Sequence, residues 1–188
     1  MEYRKEIILR DGRTCVLRGA TEKDAQGVMD NFLLTHGQTD YLATYPEEMP
    51  LTLEGETIFL RERAASEDEI EIAAELEGKI VGTAGIHSLG RREKTRHRAG
   101  FGVSVDRAYW GLGIGRALTQ ACIDCAKAAD YLQLELEAVA ENERALSLYR
   151  SVGYIEYGRN PKGFRSRRGW QELVLMRLDL EERQACKS

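Results

Sequence analysis

Three glycines alternate with apolar residues in the stretch WGLGIGRAL, at positions 110–118. The stretch joins an alternating run, FGVSV, to a segment with helical periodicity. The first N–H groups of a helix lack intrahelical partners and the helix dipole adds positive potential there, so this end attracts anions. Gly111, Gly113 and Gly115 carry no Cβ, which lets an anion approach their backbone closely. The pattern therefore predicts a phosphate or pyrophosphate site.

Two known phosphate motifs differ from this turn. The P-loop requires a Lys-Ser/Thr pair after its last glycine, and none follows here. The dinucleotide fingerprint G-x-G-x-x-G begins with Gly111 and Gly113, but Arg116 takes the place of its third glycine. Either Glu135 or Glu137 could supply the carboxylate that this fingerprint needs. A nucleotide-binding domain therefore remains an alternative interpretation.

A second group of residues lies in NERALSLYRSVGY, about one strand–helix unit later. Asn142 is a typical helix cap, and Gly153 lies just beyond the expected end of the helix. Ala145 and Tyr149 follow Asn142 by three and seven residues, which places all three on one helix face. Tyr149 can serve a ligand site or be a core aromatic residue, and spacing alone leaves both interpretations open.

The elements that must position these residues follow from hydrophobic periodicity. KEIILRDGRTCVLR alternates around Asp11-Gly12, which predicts a hairpin, and TEKDAQGVMDNFLLTH and LEGETIFLRERAAS have helical spacing. A second hairpin turns at Glu77-Gly78; strand, helix, strand and helix then lead to a last hairpin around a basic turn. Hairpins give antiparallel pairs and a strand–helix–strand unit a parallel one, so we expect a mixed α/β sheet with helices on both faces.

Taken together, GVSVDRAYWGLGIGRAL and LELEAVAENERALSLYRSVGY resemble the GNAT superfamily of acyl-CoA-dependent N-acetyltransferases. In its signature [R/Q]-x-x-G-x-[G/A], Gly113 and Gly115 match, while Trp110 stands where Arg or Gln is usual. The second motif, N-x-x-A-x-x-L-Y-x-x-x-G-[FY], matches at Asn142, Ala145, Leu148, Tyr149, Gly153 and Tyr154. The resemblance is good over residues 68–180 and extends to the N-terminal third in layout only.

The resemblance implies one GNAT domain over residues 1–188, with a largely antiparallel sheet of six to seven strands and splayed central parallel strands. It implies acetyl-CoA as cosubstrate and no metal. The pantetheine arm would pair with the backbone of Val103 and Val105, and the pyrophosphate would lie on the N–H groups of residues 111–116. The residues expected to bind the cofactor are Val103, Ser104, Val105, Gly111, Leu112, Gly113, Ile114, Gly115, Arg116, Asn142, Ala145 and Tyr149.

The implied reaction is direct attack of a neutral amine on the thioester, with Tyr149 as the catalytic residue that assists the leaving thiolate. The Val105 N–H would stabilise the oxyanion. Many family members carry a glutamate early in the strand FGVSV, but this region reads Arg98-Ala99-Gly100 here. His87, Glu137 and a water relay all remain candidates for the general base.

The resemblance thus predicts transfer of an acetyl group to a primary amine of a small molecule, an amino acid or a protein N-terminus. The missing glutamate motivates the alternative of a non-catalytic acyl-CoA-binding or sensing module on the same fold. Dimers are frequent in this family, so a homodimer is compatible with the resemblance, although nothing in these residues demands one.

Composition narrows the range of possible partners and cellular locations. The 188 residues are 43% apolar and 31% charged, with a formal net charge of −4, which argues against nucleic acid as a partner. No long apolar run indicates a membrane span or a signal peptide. The C-x-x-C at Cys122 and Cys125 lies inside a helical pattern, where small buried thiols are expected. We therefore expect a cytoplasmic protein.

Three segments have no assigned role at this point. The basic runs 91–98 and 158–168 are expected at hairpin turns, either as solvated tips or in contact with the CoA 3′-phosphate or an acidic acceptor. The loop TDYLATYPEEMP, with Tyr41 and Tyr45, could line an amine pocket.

Overall fold

The computed structural model describes residues 1–48, 50 and 52–180, which form eight strands and four α-helices. The strands are β1 (Arg4–Ile8), β2 (Thr14–Gly19), β3 (Ile70–Leu76), β4 (Lys79–Ser88), β5 (Arg98–Val105), β6 (Gln133–Val139), β7 (Ile155–Ser166) and β8 (Gly169–Asp179). The helices are α1 (Ala25–Gly37), α2 (Leu53–Ala65), α3 (Ile114–Ala128) and α4 (Glu143–Ser151).

All eight strands form one sheet in the order β1-β2-β3-β4-β5-β6-β8-β7. Every neighbouring pair is antiparallel except β5 and β6, which are parallel because helix α3 connects them. The mixed, largely antiparallel sheet is therefore confirmed. It has eight strands where the resemblance implied six to seven, because both strands of the first hairpin and both strands of the last hairpin join the sheet.

The first two hairpin turns are confirmed. Gly12 has a φ of 87° in the β1–β2 turn. In the β3–β4 turn, Glu77 and Gly78 both have positive φ angles, of 53° and 76°. Two consecutive residues of this kind match the right-handed twist of the strands that they join.

Helices cover both faces of the sheet, as expected. Ile72 of β3 belongs to the larger core cluster, together with Leu118 and Cys122 of α3. The next residue, Ala73, points to the opposite face and packs with Val28 of α1 and Leu60 of α2.

The thiols of Cys15, Cys122 and Cys125 are free and buried, which confirms the expected burial of Cys122 and Cys125. Cys186 lies outside the described residues. No helix in the part of the chain that the structure describes is long and apolar enough to cross a membrane.

The parallel strands separate after three residues. β5 pairs with β6 only from Arg98 to Gly100, although β5 runs on to Val105 and β6 to Val139. The second half of β6 keeps its partner on the other side, β8. An open wedge therefore lies between the C-terminal halves of β5 and β6, where the splay was expected.

Candidate active site

A cavity of about 530 Å³ opens at this wedge. All twelve residues expected to bind the cofactor line it, together with residues of the β1–β2 hairpin and of the segment after α1. The structure therefore brings together a strand edge, a glycine turn and a helix face that are far apart in sequence. The role of each residue toward a ligand stays a prediction.

The glycine turn leaves backbone N–H groups free at the start of α3. Gly111 and Gly113 have φ angles of 87° and 104°, which side chains disfavour, and Gly113 is the N-cap of α3. The first helical hydrogen bond runs from the Ala117 N–H to the Gly113 carbonyl, at 3.0 Å. The three preceding N–H groups consequently have no partner within the helix and lie at the positive end of its dipole.

The end of β5 presents backbone groups to the wedge. The Asp106 N–H donates to the Val81 carbonyl of β4 at 2.9 Å, so alternate N–H groups point toward β4. Those of Val103 and Val105 then point the other way, toward the open side. This strand edge can pair with an extended chain of amides, which is the chemistry of pantetheine.

Trp110 holds the turn against this strand. Its indole N–H donates to the Val105 carbonyl at 2.7 Å. The guanidinium carbons of Arg107 and Arg144 lie 5.9 and 5.2 Å from the centres of the indole rings, within cation–π range. The tryptophan thus links the glycine turn to β5 and supports two cations above the turn.

Three arginines belong to the wall of the cavity that contains the glycine turn. The Arg10 guanidinium donates to the Gly111 carbonyl at 3.2 Å, and a Cβ on Gly111 would lie 3.4 Å from Nη2 of Arg144. Arg116 donates to the Ser151 hydroxyl at 2.6 Å. None of the three forms an ion pair within the described residues, so their charges are available to a phosphate.

Charge reversal at Arg144 should weaken cofactor binding. Arg144→Glu is expected to lower the affinity for acetyl-CoA about tenfold or more, because one attractive contact with phosphate becomes repulsive. Titration calorimetry at two salt concentrations measures the effect, which salt should reduce. S-acetylpantetheine, which has no phosphate, is the matched control ligand. An equal loss of affinity for both ligands would show that the variant disturbs the cavity itself.

The α4 face combines a cap, a small residue and a buried phenol. The Asn142 Oδ1 accepts the Ala145 N–H at 3.2 Å, which leaves the side-chain amide N–H groups for another partner. Tyr149 is 9% exposed and packs against Phe101 and Tyr154, with ring centroids 6.1 and 5.8 Å away. It also lines the cavity, so the core and ligand-site interpretations are compatible. Burial raises the pKa of Tyr149 to about 12, so the phenol is protonated at neutral pH.

Comparison with known proteins identifies the family of the chain. Residues 33–154, more than half of the chain, match the model of the Acetyltransferase (GNAT) family. The chain belongs to this family. A solved acetyltransferase of the GNAT family from Streptococcus pneumoniae superposes with a TM-score of 0.83 at 28% identity, over 89% of this chain and 99% of that one.

The names of two curated relatives state an activity. N-alpha-acetyltransferase RimI of Mycobacterium tuberculosis is 36% identical over 107 residues, which cover 57% of this chain and 65% of that protein. The [ribosomal protein bS18]-alanine N-acetyltransferase of Escherichia coli is 31% identical over 80 residues, 43% of this chain and 54% of that protein. The chain thus spans less than two thirds of the length of these relatives.

The candidates for the general base lie outside the cavity of this GNAT protein. Neither His87 nor Glu137 lines it, and both side chains are exposed. Glu135, one of the two carboxylates considered for a dinucleotide site, is bound by Arg98 through two hydrogen bonds, at 2.5 and 2.7 Å. The family match overturns the nucleotide-binding interpretation.

The basic runs do not contribute to the cavity. No residue of 91–98 or 158–168 lines it, and acidic residues neutralise several of their arginines: Arg91 pairs with Glu69, and Arg159 with Glu156. Most of the second run lies in strand β7 rather than in a turn, which corrects the expectation. Contact of these runs with the 3′-phosphate therefore has no support.

The two tyrosines of the loop after α1 have different surroundings. Tyr41 lines the cavity. The Tyr45 hydroxyl instead accepts the Arg167 backbone N–H at 2.9 Å, and the Arg167 guanidinium lies 3.9 Å from the Tyr45 ring centre. The β7–β8 turn is thus fastened to this loop, which forms one boundary of the region beside the wedge.

Proposed function

We propose that this GNAT protein transfers the acetyl group of acetyl-CoA to a primary amine. The observation that carries the proposal is the single cavity in which the glycine turn, the free edge of β5 and Tyr149 meet. The turn and the nearby arginines suit a pyrophosphate, the strand edge suits pantetheine amides, and the wedge would hold the thioester. The free buried thiols fit a reducing compartment, so we include a cytoplasmic location in the proposal.

The chain's own groups suit an addition–elimination reaction. The amine nitrogen attacks the thioester carbonyl carbon, and the carbonyl oxygen gains the negative charge that the Val105 N–H would stabilise. The nitrogen, which is positively charged once the C–N bond has formed, releases one proton to solvent. The C–S bond then breaks as the oxyanion re-forms the carbonyl, the acetyl group stays on nitrogen, and the sulfur leaves with the electron pair of that bond. The protonated Tyr149 donates a hydrogen bond to that sulfur. Because the pKa of Tyr149 is about 12 and that of an ordinary thiol is about 8.5, hydrogen bonding outweighs full proton transfer.

Thiol release in the presence of candidate acceptors tests the proposal. The panel contains a peptide with an N-terminal alanine, free L-amino acids and a polyamine, and calorimetry measures acetyl-CoA binding separately. Acceptor-dependent release of CoA, with the acetylated amine identified by mass, is the expected result. Binding without turnover of any acceptor would favour the non-catalytic module, and absence of acetyl-CoA binding would overturn the assignment of the cavity.

A further inference from the structure

The sheet surface on the α1–α2 side contains three closely spaced glycines. In the register of β4 and β5, Gly85 faces Gly102 and His87 faces Gly100. On the other side of β4, Glu71 of β3 faces Gly85. These residues share the face of Ala73, which packs against α1 and α2.

Polar side chains cover two of the three glycines. A Cβ on Gly100 would lie 2.5 Å from Nε2 of His87, and a Cβ on Gly85 would lie 2.3 Å from Oε2 of Glu71. No real Cβ tolerates such distances, so each glycine makes room for the side chain that crosses it. Each side chain crosses to the next strand of the sheet: Glu71 reaches over β4, and His87 reaches over β5.

The third glycine is uncovered. A Cβ on Gly102 would meet no heavy atom within 4 Å, and the residue is exposed. Ser104 follows on the same face and lines the cavity, so the open space over Gly102 borders the expected thioester position. The imidazole over Gly100 and the carboxyl group over Gly85 flank this space.

We propose that the acceptor amine binds over Gly102 and that Nε2 of His87 takes the proton that its ammonium group must lose. The assignment rests on the proposed function and adds the general base to it. The N–H bond of the ammonium breaks, its electron pair stays on nitrogen for the attack, and the proton moves to Nε2. His87 is exposed, so it can return the proton to solvent.

Gly100 explains how a histidine on β4 can serve the reaction. The family glutamate is expected early in β5, where this chain has Gly100. The imidazole occupies the space in which the first carbon of such a side chain would stand. Loss of the carboxylate and access for the histidine are therefore consequences of the same glycine.

The charges around His87 favour its neutral form. Although the side chain reaches solvent, the residues around the imidazole partly desolvate it, and this effect and the positive charge of the nearby Arg63 of α2 lower the pKa of His87 below its usual value of 6.5. The neutral imidazole can therefore accept a proton at neutral pH. Glu69 pairs with Arg63 beside it, and Glu135 pairs with Arg98 beyond Gly100. Glu56 of α2 also acts on this face, because its negative charge raises the pKa of Glu71. Burial is the larger cause and raises the pKa of Glu71 to about 7, so Glu71 is the rival proton acceptor.

Removal of the imidazole should change the pH profile as well as the rate. His87→Ala is expected to lower kcat/KM for the alanine-terminated peptide about 10²–10⁴-fold at pH 7, the usual contribution of a general base. In the unaltered protein, kcat/KM should rise with pH through the lowered pKa of His87, which sets the rising limb of the pH profile. In the variant it should move up to the pKa of the peptide amine, about 8, because only neutral amine then reacts. His97→Ala, in the β4–β5 connection, is the matched control.

Substitutions at Gly100 test the same space from the other strand. Gly100→Ala should displace the imidazole and lower the rate like His87→Ala, although its own side chain is only a methyl group. Gly100→Glu in the His87→Ala background should recover at least tenfold in kcat/KM, because the carboxylate takes the vacated position. Acetyl-CoA affinity should stay within twofold of the unaltered protein in all these variants.

The outcomes separate this inference from the proposed function. If the unaltered protein transfers acetyl groups but His87→Ala keeps its rate and profile, the base assignment is wrong and the activity stands. If Glu71→Gln instead removes the rising limb of the pH profile, the proton goes to the Glu71 carboxyl group. Ring NMR of His87 in the acetyl-CoA complex needs no acceptor, and an imidazole still protonated at pH 8 would also refute the assignment.

Discussion

Tyr149→Phe is expected to lower kcat about 10²-fold, with little change in acetyl-CoA affinity or in stability. The ring packs against Phe101 and Tyr154, and phenylalanine keeps these contacts. Only the hydroxyl group is lost, and with it the hydrogen bond that the leaving sulfur would receive. A group that assists proton transfer in the transition state contributes about 10²–10⁴-fold. We expect the low end of this range because the pKa of Tyr149, about 12, limits full proton transfer to the sulfur.

The chain offers a matched control for this variant. The Tyr154 hydroxyl is buried, has no hydrogen-bond partner among the described residues and does not line the cavity. Tyr154→Phe should therefore leave kcat unchanged and keep or slightly raise the free energy of unfolding, because an unsatisfied buried hydroxyl is removed. Steady-state kinetics measure kcat of both variants, and denaturant titration measures their free energies of unfolding. Equal kcat for Tyr149→Phe and the unaltered protein would remove Tyr149 from the mechanism.

The parts of the fold that the sequence predicts are those with a local cause. The turn at Glu77-Gly78 needs two residues with positive φ angles, and the helix start at Gly113 follows an alternating strand. Asn142 caps α4 through its own side chain, as its residue type indicates. Such features depend on a few consecutive residues, so single-sequence reasoning reaches them.

The features that the sequence did not predict depend on packing between distant segments. Arg10 reaches the glycine turn because the β1–β2 hairpin folds next to α3, and no residue pattern near position 10 indicates this contact. The sequence pointed only weakly to Arg144 as a residue of the site, through its position two residues after Asn142. Trp110 departs from the family motif, and only the structure shows that its indole N–H donates a hydrogen bond to the Val105 carbonyl.

The general base remained open for a related physical reason. Alternation along β4 places His87 on one face, but the sequence cannot show that the side chain leans across to β5. That direction depends on the register that sets His87 opposite Gly100. A glycine directly across from a long polar residue is a pairing property, which a single strand does not contain.

Substitutions in the glycine turn should separate ligand binding from folding. Gly113→Ala is expected to lower the free energy of unfolding by about 1–2 kcal/mol, because its φ of 104° is strained for any side chain. Gly78→Ala, with a φ of 76° and no heavy atom near a Cβ, should cost about the same. Of these two variants, only Gly113→Ala should also weaken acetyl-CoA binding, since Gly78 lies in the β3–β4 turn.

Gly115 provides the complementary case. It lies inside the first turn of α3 without a positive φ, and a Cβ there would be 3.6 Å from the Leu148 side chain, an ordinary contact. Gly115→Val should therefore fold with a stability loss below about 1 kcal/mol, helped by the better helix propensity. Its branches extend into the cavity, so acetyl-CoA affinity should fall at least tenfold, or about 1.4 kcal/mol. If affinity followed stability across all three variants, the turn would be structural only, because an anion site requires binding losses that strain does not explain.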